Sequence, residues 1–186
     1  LQVTGSFKVR GAYYKISHLS DEEKSHGVIA CSAGNHAQGV ALAATKNGIK
    51  SIICLPDGAP ISKVEATKGY GAEVCLVPGV YDDAYAKAIE LRDANGYTFI
   101  HPFDDENVIA GQGTIGLEIL SQVADADVIV VPVGGGGLIS GVSFTVKQLK
   151  PSVRVYGVQA EGAPSMVNSQ IGRASCRERV FWVVWV

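Results

Sequence analysis

Short apolar runs alternate with segments of helical spacing along most of the chain. The apolar runs, each of strand length, fall at residues 28–31, 51–55, 73–77, 97–100, 128–133 and 153–158. An opening helix is predicted over 6–19, and further helices over 35–46, 62–69, 82–94, 108–122 and 138–149. This alternation predicts βαβ units, and therefore an α/β fold of parallel sheets with flanking helices. Because the strand runs are continuously apolar, we expect both faces of the sheets to be buried.

Composition and charge narrow the class of protein. The 186 residues are 47% hydrophobic and 18% charged, as in a globular protein, and the net charge of -2 gives no reason to expect nucleic acid or an anionic membrane as partner. No segment approaches the roughly 18 apolar residues of a membrane span. The four cysteines form no CxxC pair. Reduced thiols in a cytoplasmic protein are therefore expected.

The two ends of the chain each differ from the regular pattern between them. The sequence begins at Leu1 and enters a motif within a few residues, which indicates a piece of a longer protein. Residues 171–186 contain both tryptophans, and residues 171–180 resemble a translated sequencing-adapter oligonucleotide. A genuine C-terminal helix and strand is the alternative. We expect this tail to be an artefact and leave it out of the fold prediction.

A tetraglycine loop separates the apolar run 128–133 from the helical segment 138–149. It consists of Gly134, Gly135, Gly136 and Gly137. Such a loop exposes consecutive backbone N–H groups, and the following helix N-terminus adds about half a positive charge, so that it binds anions, most often phosphate. A merely flexible loop is the alternative. The run matches neither a Walker loop nor G-x-G-x-x-G, which favours a mononucleotide or a phosphorylated cofactor over a dinucleotide.

A second loop between a strand and a helix has the sequence S-A-G-N-H-A-Q-G at residues 32–39. Its short polar groups and N–H groups are suited to a second anion, such as a substrate carboxylate. Asn35 is a candidate hydrogen-bond donor to a hydroxyl, whereas His36 is open to a structural or a catalytic reading. Lys8, taken alone, resembles any solvated lysine. Two anion loops and a lysine together predict a bound phosphate, a bound carboxylate and an amine nucleophile.

Three motifs follow one another in the chain: S-F-K-V-R-G-A at residues 6–12, S-A-G-N-H at 32–36 and G-G-G-G at 134–137. In this order and spacing they resemble the lysine motif, the substrate loop and the phosphate loop of the fold-type II pyridoxal-phosphate family. Within that family they are most similar to the threonine dehydratases (threonine ammonia-lyases), with further similarity at 101–105 and 108–114. The resemblance covers residues 1 to about 166.

The resemblance implies a role for each matching residue. Lys8 would hold pyridoxal phosphate as an imine, Phe7 would flank the cofactor ring, and Asn35 would bond the phenolic oxygen. The tetraglycine loop would bind the phosphate. Four residues would surround the substrate carboxylate: Ser32, Ala33, Gly34 and His36. No metal is predicted, because Gln159 stands where the glutamate of the racemases' metal site would fall, although the register leaves Glu161 open.

The resemblance also implies a two-lobed architecture like that of the tryptophan synthase β subunit. Residues 1–26 and 103–170 would form part of a large cofactor-binding lobe, and residues 27–102 a small mobile lobe. The parent enzyme would be a homo-oligomer that acts on a small amino acid. Because part of the large lobe is missing, we expect residues 1–186 alone to be inactive or unstable.

The implied reaction is β-elimination from L-threonine or L-serine, which yields 2-oxobutyrate or pyruvate and ammonia. Freed Lys8 would remove the Cα proton, provided that burial lowers its pKa. Threonine and serine differ by one methyl group, worth about 1–3 kcal/mol in a pocket, so the sequence ranks neither. Biosynthetic and catabolic roles, in isoleucine synthesis or threonine breakdown, stay equally open.

Two alternatives remain. Serine racemases share the motifs, but racemisation needs a second acid/base, which a serine supplies at the second position of the S-x-G-N-H loop. Ala33 stands there and has no proton to give, which favours a dehydratase. A non-catalytic nucleotide-binding α/β domain would explain the tetraglycine loop. It would leave the Lys8 motif and the loop at residues 32–39 unexplained.

Overall fold

The structure is a computed structural model that describes residues 2–170, and the predicted artefactual tail lies outside them. The described strands are β1 Val28–Cys31, β2 Ser51–Pro56, β3 Glu73–Val77, β4 Thr98–Phe99, β5 Val128–Pro132 and β6 Arg154–Val158. The helices are α1 Lys8–Ser17, α2 Asp21–His26, α3 Asn35–Lys46, α4 Ile61–Gly69, α5 Tyr81–Asn95, α6 Glu106–Gln122, α7 Gly137–Leu149 and α8 Ser165–Gln170. The α/β prediction is confirmed.

Two helices were not predicted from the sequence, α2 and α8. Helix α2 begins at a capping box: the Ser20 hydroxyl accepts from the Glu23 N–H at 3.2 Å, and the Glu23 carboxylate accepts from the Ser20 N–H at 2.7 Å. This reciprocal arrangement satisfies backbone donors that the first turn of a helix leaves open. The Ser-x-x-Glu spacing is visible in the sequence, so α2 was predictable.

Four parallel strands form the sheet of the first of two compact units, Leu1–Pro102, in the order β3-β2-β1-β4. One face packs against α1 and α3, where Ala12 and Val40 belong to the same buried cluster as Ala30. The other face packs against α5, where Ala84 and Ala88 cover the opposite side of β1 and β2. The alternation of strands and helices thus becomes three layers.

The second compact unit begins at Phe103 and contains the parallel pair β5 and β6. Its helices α6 and α7 meet at small residues: a Cβ on Gly141 would collide with the Ile109 carbonyl oxygen and lie 2.7 Å from the Gly113 nitrogen. The expectation that both faces of every strand are buried was wrong for β5, where Val128 and Val130 are 40% and 60% exposed. The buried cluster of this unit receives only the alternate residues of that strand.

The contacts of α1 bear on the predicted lobes. The boundary after Pro102 separates the two compact units, whereas no such boundary follows residue 26, because Ile16 and Leu19 pack in one cluster with Ala37 of α3. The assignment of residues 1–26 to a large lobe therefore stays a prediction. No helix within residues 2–170 combines the length and the apolar character that crossing a membrane requires.

Candidate active site

Lys8 is the first residue of α1, and its side chain is half-buried in the first unit. The Lys8 Nζ donates a hydrogen bond of 2.6 Å to the backbone oxygen of Pro102 and lies 5.5 Å from the centroid of the Phe7 ring. Burial lowers the pKa of the Lys8 amine, because the charged form loses solvation. A lowered pKa enlarges the fraction of neutral amine, which is the form that attacks a carbonyl.

The loop at residues 32–36 leads from the end of β1 into α3. The Ser32 N–H donates to the Cys54 oxygen at 3.2 Å, and the Ser32 hydroxyl accepts from the Gly34 N–H, also at 3.2 Å. No side chain caps the N-terminus of α3, and Asn35, its first residue, is exposed. Open N–H groups at the start of a 12-residue helix suit an anion, as the sequence predicts for a carboxylate.

His36 is buried, with 4% of its surface exposed. Its Nε2 lies 2.8 Å from the Ile100 oxygen, and because a carbonyl only accepts, Nε2 carries the proton. Its Nδ1 is buried and has no hydrogen-bond partner among the described residues. Burial lowers the pKa of His36 to about 4, so the ring is neutral and Nδ1 is an acceptor. The predicted contact with a carboxylate would need a proton on Nδ1, and this part of the prediction stays untested.

The tetraglycine loop lies in the second unit, between β5 and α7. A Cβ on Gly135 would overlap the Phe103 ring, and a Cβ on Gly137 would lie 2.8 Å from the Phe103 backbone oxygen. Gly136 has a φ of 95°, in the left-handed region that favours glycine, whereas Gly134 has nothing within 4 Å of a Cβ. Since no side chain caps α7, its N-terminal amides are available, and the loop fits a phosphate group.

Two backbone oxygens that the sequence did not identify connect the first-unit residues. Lys8 donates to Pro102 and His36 to Ile100, so both side chains are held by the segment that follows β4. In the sequence, Ile100 was only the last residue of an apolar run, and Pro102 lay in a stretch of family similarity. The described residues contain no group of three or more histidine, cysteine, aspartate or glutamate side chains arranged to hold a metal ion.

The family model described as "Pyridoxal-phosphate dependent enzyme" matches residues 1–180. The chain belongs to this family. The match ends inside the tail, and the prediction that the tail is an artefact stays untested. Membership makes the cofactor pyridoxal phosphate, which agrees with the resemblance seen in the three motifs.

Among individual relatives, an L-threonine ammonia-lyase of Thermotoga maritima is 57% identical over 175 residues, 94% of this chain and 44% of that protein. A catabolic L-threonine dehydratase of Escherichia coli strain K12 is 52% identical over 169 residues, 91% of this chain and 51% of its own length. The chain therefore spans about half the length of the curated relatives it matches.

Two solved structures show the same architecture. Threonine deaminase isoform 2 from Solanum lycopersicum, in its processed form, superposes with a TM-score of 0.89 at 46% identity, covering 92% of this chain and 50% of that one. A maize serine racemase superposes with a TM-score of 0.88 at 38% identity, covering 99% and 54%. The fold is therefore that of the fold-type II pyridoxal-phosphate enzymes.

Proposed function

We propose that the complete protein, meaning this chain with the rest of its reading frame, is a threonine dehydratase. It converts L-threonine, and L-serine, into the 2-oxo acid and ammonia by β-elimination. The observation that carries this proposal is Lys8, a half-buried amine of lowered pKa inside the family's lysine motif. The names of relatives at 52% and 57% identity support the choice of reaction.

Each residue of the three motifs has a proposed role in binding the cofactor or in moving a proton. Lys8 would hold pyridoxal phosphate and, when free, would take the Cα proton, and Phe7 would flank the ring. Asn35 would donate to the phenolic oxygen of the cofactor, and the tetraglycine loop would bind its phosphate. The cofactor supplies an electron sink for the charge that develops at Cα.

Substrate binding uses the loop at residues 32–36. Ser32, Ala33 and Gly34 and the uncapped start of α3 would surround the carboxylate. The Ser32 N–H is already bonded to the Cys54 oxygen, so the Ala33 N–H and the first N–H groups of α3 are the proposed donors. His36, which lies at the end of this loop, fixes its position through the hydrogen bond to the Ile100 oxygen. We also propose that residues 27–102 form a mobile lobe, and that the complete protein is a cytoplasmic homo-oligomer.

The test is an absorbance titration of the purified complete protein with pyridoxal phosphate. An imine band is expected in the wild type and is expected to vanish in Lys8→Ala. Lys15→Ala removes the other lysine of α1 and is the matched control, which keeps the band. A wild-type protein without an imine band contradicts the proposal, as does a band of equal intensity in Lys8→Ala.

Serine racemase is the second candidate, supported by the superposition with the maize enzyme. The side chain at position 33 separates the two reactions, because an alanine cannot deliver a proton to the second face of Cα. A chiral assay of L-serine turnover is expected to detect pyruvate and ammonia without D-serine. D-serine forming faster than pyruvate would favour the racemase.

A further inference from the structure

Gly39 lies in α3, one turn after Asn35, and faces the backbone of α1. A Cβ on Gly39 would lie 3.0 Å from the Val9 nitrogen, 3.1 Å from the Lys8 carbonyl carbon and 3.2 Å from the Lys8 oxygen. All three neighbours are main-chain atoms, so no change of rotamer relieves the contact. Any side chain at position 39 therefore requires one helix to move away from the other.

The residue that Gly39 contacts is also held at the far end of its side chain. The Lys8 Nζ donates to the Pro102 oxygen at 2.6 Å, while the Lys8 carbonyl group lies against Gly39. The position of the amine thus depends on two contacts, one at the backbone and one at the tip. A lysine side chain has rotatable bonds along its whole length, so the backbone contact decides where this side chain begins.

We propose that Gly39 is a positioning residue for Lys8: the missing side chain lets α1 approach α3 closely enough to place the amine for its reaction. This inference rests on the proposed function, because it assigns to the contact a consequence for the chemistry of Lys8. Gly39 itself touches neither cofactor nor substrate in this scheme.

The size of the displacement follows from the contact distances. Ordinary van der Waals contact of a Cβ begins at 3.4 Å, so the Val9 nitrogen must retreat by about 0.4 Å in Gly39→Ala. A misplacement of about 1 Å at a reacting group costs on the order of 100-fold in rate. On a logarithmic scale, about 0.4 Å corresponds to a loss of about sixfold in kcat.

Gly116→Ala is a matched control. A Cβ on Gly116 would lie 3.1 Å from the Thr145 Cβ and 3.2 Å from the Val142 oxygen, which is nearly the same degree of overlap between a helix pair. Gly116 lies in α6 and both neighbours lie in α7, so this helix pair belongs to the second unit. Both variants are expected to lower Tm. Only the change at Gly39 is expected to displace the Lys8 amine and so to change the imine absorbance.

The experiment compares the complete wild-type protein, Gly39→Ala and Gly116→Ala after loading with pyridoxal phosphate. The readouts are the pH midpoint of the imine absorbance, the Kd for the cofactor and kcat. Gly39→Ala is expected to displace the imine midpoint, to weaken cofactor binding and to lower kcat about sixfold. Wild-type imine properties in Gly39→Ala, together with a lowered Tm, overturn the inference.

Ala12→Val covers the case in which Gly39→Ala does not fold. Ala12 is fully buried, lies one turn after Lys8 on the same side of α1, and packs in one cluster with Val40. Enlarging it separates the same two helices and is expected to displace the imine midpoint in the same direction. A folded Ala12→Val with an unchanged midpoint refutes the inference, whereas a wild type without an imine band refutes the proposed function itself and the inference with it.

Discussion

The neutral imidazole of His36 makes the stability of the protein depend on pH. Burial lowers the pKa of this ring from 6.5 to about 4, against a smaller raising effect of the hydrogen bond to Ile100, and the charges of Lys8 and His101 lower it further. In the unfolded chain the ring regains an ordinary pKa of about 6.5. Between these two values the unfolded chain binds more protons than the folded one, so the free energy of unfolding falls as the pH falls.

The magnitude follows from the difference between the two pKa values. A difference of about 2.5 corresponds to about 3 kcal/mol, because each pKa unit is worth about 1.4 kcal/mol. This stabilisation is fully present above about pH 6.5 and is lost progressively as the pH falls to about 4. Between about pH 7 and pH 5 the expected loss is about 2 kcal/mol, a large part of the 5–15 kcal/mol of a typical domain.

Urea unfolding of the complete protein between about pH 7 and pH 5 measures this effect. His36→Gln retains an N–H that can donate to Ile100 but does not titrate, so its unfolding free energy is expected to lose about 2 kcal/mol less than wild type over this range. The matched control is His18→Gln, which makes the same substitution at an exposed histidine. Parallel curves for wild type and His36→Gln would show that the ring does not have the lowered pKa.

Three further changes test the loops and helix contacts. Gly137→Ala is expected to weaken cofactor binding at least about tenfold in an imine titration, because its Cβ meets the Phe103 backbone at 2.8 Å. Gly162→Ala, in the same unit but outside the loop and with open space around its Cβ, is the control, and equal affinities of the two variants would contradict the loop geometry. Asp105→Ala removes the carboxylate that caps α6 and is expected to cost about 1 kcal/mol in thermal unfolding, most of which Asp105→Asn retains. Gly141→Ala is expected to destabilise by about 1–3 kcal/mol in urea, and an unchanged midpoint would exclude the close helix contact.

The order of strands and helices was readable from local pattern. The runs at 28–31 and 73–77 became β1 and β3 without change of bounds, and the segment 35–46 became α3. Apolar spacing determines which side of a helix or strand can be buried, and it needs no information about partners. The same reasoning was wrong for β5, because burial of the second face depends on what packs there.

The three motifs were readable for a related reason. Glycines before a helix, short polar residues after a strand and a lysine each have a chemistry of their own, and this was enough to predict a bound phosphate, a bound carboxylate and an amine nucleophile. That the cofactor is pyridoxal phosphate held by Lys8 was implied by the resemblance of the three motifs to a family. The family match supports that prediction.

The contacts that position Lys8 were decided by the tertiary structure alone. The acceptors at Pro102 and Ile100 are backbone oxygens, which every residue carries, and their partners lie 94 and 64 positions away along the chain. In the sequence, Gly39 looked like one more small residue of a loop. Only the tertiary structure shows that the backbone of α1 passes so close to it that a Cβ would overlap Lys8 and Val9. The sequence by itself identified the candidate reactive groups, because the chemistry a side chain can perform belongs to the residue type. The fold decided where they are held and how easily they ionise, because backbone contacts and burial belong to the packed chain.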